Sequence, residues 1–274
     1  MRRRLEDPKA SATSTSPKRS RRSLSDTSTA TTSCRAVVPI TVVPVLSGQP
    51  PFTLTLEAGA RLVIDPDAVN VLPADLAALQ SILEGKKRLQ FRLYGRDATM
   101  RRQQAIFGID AYRFSGNVLT REAGEMPVAV QQCLAFVADR DQQPTSRYWA
   151  LVNWYPHASD YISAHADDEK EVGVVSAREG PAVATFTFGA VPRVFRLVRK
   201  PSSRRHAQPL LPQRWDIALP HGSCAIMAGT RFQAAYTHEV RPLSRAAVRA
   251  AAAAGHTIGR LSITVRARCD AAAD

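Results

Sequence analysis

The sequence predicts an α+β domain: a sandwich of short strands with a jelly-roll-like order, braced by helices. Three observations carry that expectation. Two amphipathic helical stretches stand early in the chain, six short runs rich in β-branched and aromatic residues follow them, and a polar, basic tail precedes both. Helices grouped ahead of strands, without βαβ alternation, favour a layered α+β arrangement. With 274 residues, 45% of them apolar, the chain can bury the core of one large domain plus a tail, or of two small domains.

Residues 1–35 hold nine basic and three acidic side chains and almost nothing apolar, so they cannot offset the entropy of ordering. The expected organisation is a disordered basic tail and linker over 1–54 and a folded domain over 55–274. "PKRSRR" at 17–22 reads as a nuclear localisation signal or a nucleic-acid tether. A mitochondrial transit peptide is the rival reading, and Glu6 and Asp7 count against it because such peptides avoid acids. The nucleus is the expected location.

"PADLAALQSILEG" at 73–85 predicts the first helix. Pro73 suits a first turn, Leu76, Leu79, Ile82 and Leu83 share a face, and Gly85 can stop it. "PVAVQQCLAFVADR" at 127–140 predicts the second, again with Pro at its start. The strands are expected at 147–155, 182–188, 193–199, 214–219, 223–228 and 259–267, separated by Gly, Pro or charged turns. An Ala-rich stretch at 243–259 reads as helical. No Gly-rich phosphate loop and no internal repeat is visible.

Charge and cysteine use narrow the partners. A net charge of +13 and a pI near 10.2 call for an acidic partner, nucleic acid first. An anionic membrane surface is second, but no run of 18 or more apolar residues offers a span, and the N-terminus is too polar for a secretory signal. Cys34, Cys133, Cys224 and Cys269 form no CxxC pair, which argues for free thiols over a zinc knuckle or a disulfide framework.

One stretch is oddly built for a core strand. "NWYPHASDYISAHADDEK" at 153–170 places His165, Asp167, Asp168 and Glu169 within five positions. Like charges so close need either a cation or full solvation as an acidic turn. On a strand His165 and Asp167 point to the same face, and one further His would complete the facial triad of non-haem iron oxygenases. An H-x-D triplet is weak alone. His238, at the end of "AAYTHEV", supplies the candidate third ligand. In "GRLSITVRAR" at 259–268, Arg260, Ser262, Thr264 and Arg266 alternate with Leu261, Ile263 and Val265. Guanidiniums aimed into a domain want anions, carboxylates above all. An edge strand with a solvated basic face is the alternative.

These motifs, with "TFTFGAVPRVFRL", "HGSCAIMAG", "YTHEV", "LYGRDATMRRQQAIFG" and "YRFSG", resemble in order and spacing the AlkB family of Fe(II)- and 2-oxoglutarate-dependent alkylation-repair dioxygenases. The likeness spans about residues 90–268 and is strongest to the nuclear, duplex-DNA branch. It implies a double-stranded β-helix (jelly-roll) core, with 55–274 as the dioxygenase domain. By the same likeness His165, Asp167 and His238 are the iron ligands and catalytic centre. Asn153, Tyr155, Arg260, Ser262, Thr264 and Arg266 are the 2-oxoglutarate contacts, Arg266 lying deepest and Arg260 being the alternative anchor.

The resemblance further implies that Tyr112 and Phe114 stack on the damaged base with His165, while Asp168 and Glu169 approach its edge. Tyr94 would be a wedge inserted into the duplex, and Gly95, Arg96 and Arg102 join the substrate-binding set. Two features depart from the family pattern. Ser262 stands where relatives carry Asn, and the link between His238 and Arg260 is longer than in relatives.

The implied activity is oxidative removal of alkyl groups from base nitrogens, as in 1-methyladenine and 3-methylcytosine. Aldehyde would be released, and 2-oxoglutarate and O2 would yield succinate and CO2. Such bases must be flipped out of a duplex, and a lesion that weakens pairing lowers that cost. Duplex DNA is the expected partner, with single-stranded DNA and RNA as alternatives, no membrane, and a monomeric state. A non-catalytic nucleic-acid-binding scaffold is the reading from another class, and the intact triad with both arginines counts against it.

Overall fold

The computed structural model describes residues 40–93, 95–168, 182–200 and 214–269. Five strands come in its first part: β1 (Ile40–Val43), β2 (Phe52–Thr55), β3 (Arg61–Asp65), then, after α1 (Pro73–Glu84), β4 (Gln90–Leu93) and β5 (Arg96–Thr99). Next are β6 (Gln103–Phe107), β7 (Ala111–Phe114), β8 (Asn117–Thr120), α2 (Val128–Asp141), β9 (Tyr148–Tyr155) and β10 (Ile162–His165). β11 (Val183–Phe188), β12 (Arg193–Arg199), β13 (Arg214–Leu219) and β14 (Ser223–Ala228) follow. The short α3 (Phe232–Ala235), β15 (Tyr236–Val240), α4 (Arg245–Ala253) and β16 (Arg260–Ala267) close the described chain.

Two sheets carry the fold. The larger has the order β2-β3-β14-β11-β16-β9-β6 and the smaller β1-β13-β12-β15-β10. Their facing sides share one apolar cluster, in which Leu62, Val183 and Met227 of the larger sheet meet Phe195, Leu197 and Ile217 of the smaller. α1 and α2 cover the other side of the larger sheet, where Leu79, Leu83, Val130, Leu134 and Val137 pack on Ile263, Val265 and Phe186. That is the helix-braced jelly-roll expected from the sequence. β4–β5 and β7–β8 form separate hairpins. β10 is an edge strand, paired on one side to β15 alone.

The helices follow from local chemistry. Pro73 takes the first turn of α1, where its missing N–H costs nothing, and Asp75 complements the dipole there. Leu79 and Leu83, one turn apart, are fully buried, each burial contributing about 1.5–3 kcal/mol. Ile82, expected on the same face, is 38% exposed. α2 buries Val130, Cys133, Leu134 and Val137 along one side and ends at Gln142 in the left-handed region, φ +52°.

The boundary at residue 54 does not hold. Within the expected linker, Ile40–Val43 pairs in parallel with β13 and Phe52–Thr55 pairs antiparallel with β3. Both segments are four residues rich in β-branched side chains, and each satisfies its backbone by extending an existing sheet edge. The interruptions by Pro44, Gly48, Pro50 and Pro51 make the turn between them, not a tether.

Candidate active site

Strand pairing brings the triad together. His165 ends β10 directly opposite His238 of β15, after a register irregularity between Ile162 and His165. Asp167 follows two residues later. One ligand atom from each of His165, Asp167 and His238 lies within 4.8 Å of the others, and the two imidazole centroids are 4.2 Å apart. His165 Nδ1 lies 2.9 Å from the Ser163 carbonyl oxygen. A carbonyl can only accept, so Nδ1 carries the proton and Nε2 is left to ligate. His238 stacks on Phe195 at 5.4 Å.

Electrostatics suit a divalent cation. Burial, reinforced by His165, lowers the His238 pKa to about 3, so its imidazole is neutral at physiological pH. Burial alone would raise the Asp167 carboxyl, but Arg266, His238 and His165 outweigh it and hold the group well below the usual carboxylate range. Arg266 Nη2 donates to Asp167 Oδ1, while Oδ2 faces His238 Nε2 at 3.5 Å. The Asp167 backbone N–H donates to Gln233 Oε1 at 2.9 Å, so α3 fixes the loop that carries the carboxylate. An ionised carboxylate and two imidazoles with free nitrogens fit a non-haem iron centre.

β16 runs in the middle of the larger sheet, between β11 and β9, which excludes the edge-strand alternative. Its alternation separates Leu261, Ile263 and Val265, packed under α2, from Arg260, Ser262, Thr264 and Arg266, which line a small cavity of about 40 Å³ with the triad, Asn153 and Tyr155. Arg260 is 1% exposed. Its Nη2 donates to Thr187 Oγ1 at 2.9 Å, its guanidinium lies 5.3 Å from the Tyr155 ring centroid, and Nε and Nη1 have no hydrogen-bond partner. Burial lowers its pKa to about 10. A buried guanidinium with unmatched N–H groups fits a carboxylate ligand. Arg266, expected deepest, is equally buried but engages Asp167 and lies about 5 Å from the rings of Trp149 and Tyr112. Both guanidiniums border the small cavity, and Arg266 already has a carboxylate partner where Arg260 has a hydroxyl. The Thr264 hydroxyl lies 3.3 Å from that of Thr185.

A larger cavity of about 500 Å³ opens on the other side of the triad. The two share Leu151, Ile162, His165, Asp167 and Arg266, so two of the three triad residues, His165 and Asp167, stand at their junction, while His238 lines the small cavity. Tyr112, Phe114, Arg102 and Asp168 line the larger one. Tyr112 is 2% exposed. It stacks on Phe114 at 4.9 Å and tilts against Trp149 at 5.0 Å, so its ring is held by the core at the wall of the cavity. Arg102 Nε and Gln104 Nε2 both donate to Asn153 Oδ1, at 2.8 and 3.0 Å, which turns the Asn153 amide nitrogen away from the larger cavity.

Gly95 and Arg96 sit on the exposed hairpin β4–β5 and do not line either cavity; Gly95 supplies the turn at φ +77°. Tyr94 and Glu169 lie outside the described residues. Sequence reasoning missed Phe91, Tyr161, Gln104 and Gln233. Tyr161 shares strand parity with Ser163 and His165 and could have been found by that signal; Gln233 carried none.

Comparison with known proteins follows the same lines. Residues 88–266 match the 2OG-Fe(II) oxygenase superfamily. The chain is 28% identical over 187 residues to alpha-ketoglutarate-dependent dioxygenase alkB homolog 3 of Mus musculus, covering 66% of this chain and 60% of that protein. It is 33% identical over 90 residues to the Homo sapiens protein of the same name, covering 33% of this chain and 29% of that one. The chain thus spans less than two thirds of the length of these relatives. The solved structure of OsALKBH1 overlaps with a TM-score of 0.44 at 15% identity, covering 75% of this chain and 97% of that one, too distant to place any residue.

Proposed function

The chain belongs to the 2OG-Fe(II) oxygenase superfamily, which uses Fe(II), 2-oxoglutarate and O2, and from that premise we propose that it is a DNA repair dioxygenase. It removes alkyl groups from base nitrogens, of the 1-methyladenine and 3-methylcytosine type, with duplex DNA preferred. The observation that carries the proposal is the junction. His165 and Asp167 of the triad stand between a small cavity, also lined by His238 and holding a buried guanidinium with unmatched N–H groups, and a larger one lined by stacked aromatics and Asp168. The likeness to alkB homolog 3 and the net charge of +13 support a nucleic-acid substrate. A nuclear location, argued from "PKRSRR", and a monomeric state belong to the same proposal.

When bound, iron and the two co-substrates supply oxidation of the N-alkyl carbon coupled to decarboxylation of 2-oxoglutarate, and the hydroxylated alkyl group is lost as aldehyde. His165, Asp167 and His238 hold the metal. Arg266 keeps Asp167 ionised and leaves Oδ2 facing His238. Arg260 would take a carboxylate of the co-substrate, beside Thr187 and Tyr155, with the Asn153 amide N–H offered from the neighbouring strand β9. Ser262, opposite Asn153 in the sheet, is too short to replace the family's Asn contact. Phe114 and Tyr112 cover one face of the flipped base, and Asp168, at the exposed rim, accepts from its exocyclic amine.

The test is incubation with 1-methyladenine- or 3-methylcytosine-containing duplex DNA, single-stranded DNA and RNA, with and without Fe(II) and 2-oxoglutarate, followed by product mass. A metal- and 2-oxoglutarate-dependent loss of the methyl group from DNA is the expected result. Loss from RNA alone moves the substrate, and succinate release without any loss from nucleic acid removes this proposal.

A further inference from the structure

The insert between His238 and Arg260 is not a loose loop. Buried Arg193 of β12 closes its root. Nη1 lies 3.5 Å from the Arg241 carbonyl and Nη2 3.5 Å from that of Ile258, while the same guanidinium donates to Asp160 and His157 carbonyls at 2.8 Å. The Leu243 N–H donates to the Ala158 carbonyl at 2.8 Å. Both ends of the insert are therefore tied to the segment 157–160, and the next residue, Tyr161, lines the larger cavity. Asp160 in turn accepts two bonds from Arg88, at 3.0 and 2.9 Å, at the foot of the β4–β5 hairpin. Helix, cavity lip and hairpin share one rigid base.

What that base presents is positive. From Val240 to Cys269 the chain has no acidic residue. α4 is capped by Ser244, whose hydroxyl accepts from the Ala247 N–H at 3.1 Å, and packs inward through Ala247, Val248 and Ala251. Its outer face is alanine interrupted by exposed Arg245 and Arg249. Alanine gives helix propensity with no side-chain chemistry, so the two guanidiniums, one turn apart, are the only functional groups the rod displays. Their separation of about 6 Å along the axis matches roughly two phosphates of one strand.

We propose that α4 is a second contact surface for the phosphate backbone flanking the base in the larger cavity, with Arg245 and Arg249 as its contacts. This rests on the nucleic-acid reading above. A merely solubilising helix needs no buried guanidinium clamp at its root, whereas a surface that must meet a strand at fixed distance from the cavity does. Phosphate contacts fix register without reading sequence, so the surface serves any lesion context.

Binding of the full chain to a fluorescein-labelled 3-methylcytosine duplex, by anisotropy from 50 to 200 mM salt, tests this for wild type, Arg245→Gln/Arg249→Gln and Arg245→Glu/Arg249→Glu. Loss of two phosphate contacts should flatten the log K against log salt slope by about 1.8. Affinity at the lowest salt should fall at least tenfold on charge reversal and less on neutralisation, with 2-oxoglutarate affinity and far-UV CD unchanged. Slopes and affinities within twofold of wild type for both variants overturn the helix assignment while leaving the dealkylation reading in place. A wild-type protein that neither binds nor dealkylates nucleic acid overturns both. If charge reversal weakens binding to phosphatidylserine vesicles but not to the duplex, the face belongs to lipid and the proposal is wrong.

Discussion

Arg260→Lys separates the two guanidiniums of β16. Lysine keeps the charge but loses the planar fork, and its ammonium would have to satisfy Thr187 Oγ1 and a carboxylate from one point. In the wild-type protein Nη2 is already committed to Thr187 at 2.9 Å, and Nε and Nη1 have no other partner. Those two N–H groups are what a dicarboxylate gains. A charge-assisted hydrogen bond contributes about 1.5–3 kcal/mol, and each 1.4 kcal/mol is about tenfold. One lost bond therefore predicts a rise of about 10–150-fold in the KM for 2-oxoglutarate. Turnover at saturating co-substrate should change far less, because Arg260 does not touch the triad.

Succinate release measured against 2-oxoglutarate concentration, with methylated substrate fixed, gives both constants. Arg266→Lys is the control. Its partner is Asp167, so it should weaken Fe(II) or Co(II) affinity more than it raises that KM. An unchanged KM in Arg260→Lys with a large rise in Arg266→Lys would refute the assignment and restore Arg266 as the anchor.

Asp167→Ala should abolish turnover but also destabilise the protein by about 3–5 kcal/mol in urea, because it strands the buried Arg266 charge. His165→Ala, whose side chain is 30% exposed, should abolish turnover with a loss under about 1 kcal/mol; equal losses would show that the ion pair is not what Asp167 contributes to stability. Gly259→Ala puts a methyl into the Trp154 ring packed against it and should cost about 1–3 kcal/mol, read as a lower Tm, with a raised 2-oxoglutarate KM because Arg260 is the next residue. Tyr94→Ala tests the duplex preference: about tenfold slower dealkylation of duplex DNA, little change on single strands, and equal losses on both would remove the wedge role.

Periodicity made much of this legible. β16 alternates because one side meets α2 and the other the cavity, and an alternating stretch of four polar residues shows its strand and its face at once. α1 and α2 were readable from Pro73, Pro127 and their apolar stripes. β1 and β2 were not, since four residues beside prolines carry too few periods to be told from a linker. Likewise, residue type alone could not say that Arg266 would meet Asp167, 99 positions away, while Arg260 meets Thr187. That division depends on how far each guanidinium reaches across the sandwich. Gln233 was silent for a related reason: its function is to accept from a backbone N–H, and backbone partners leave no pattern in the sequence.

The placement of the triad has a kinetic side. Two of its three groups, His165 and Asp167, come from β10 and the turn after it, and β10 is held by one neighbour while β15 is held by two. An outer strand opens by sub-global fluctuation at lower free energy than an inner one. Any ion that bridges His165 to His238 would suppress that opening by mass action, in proportion to its free concentration. Limited proteolysis of the metal-free protein is therefore expected to start more readily at β10 than at β15, and added Fe(II) or Co(II) to slow it.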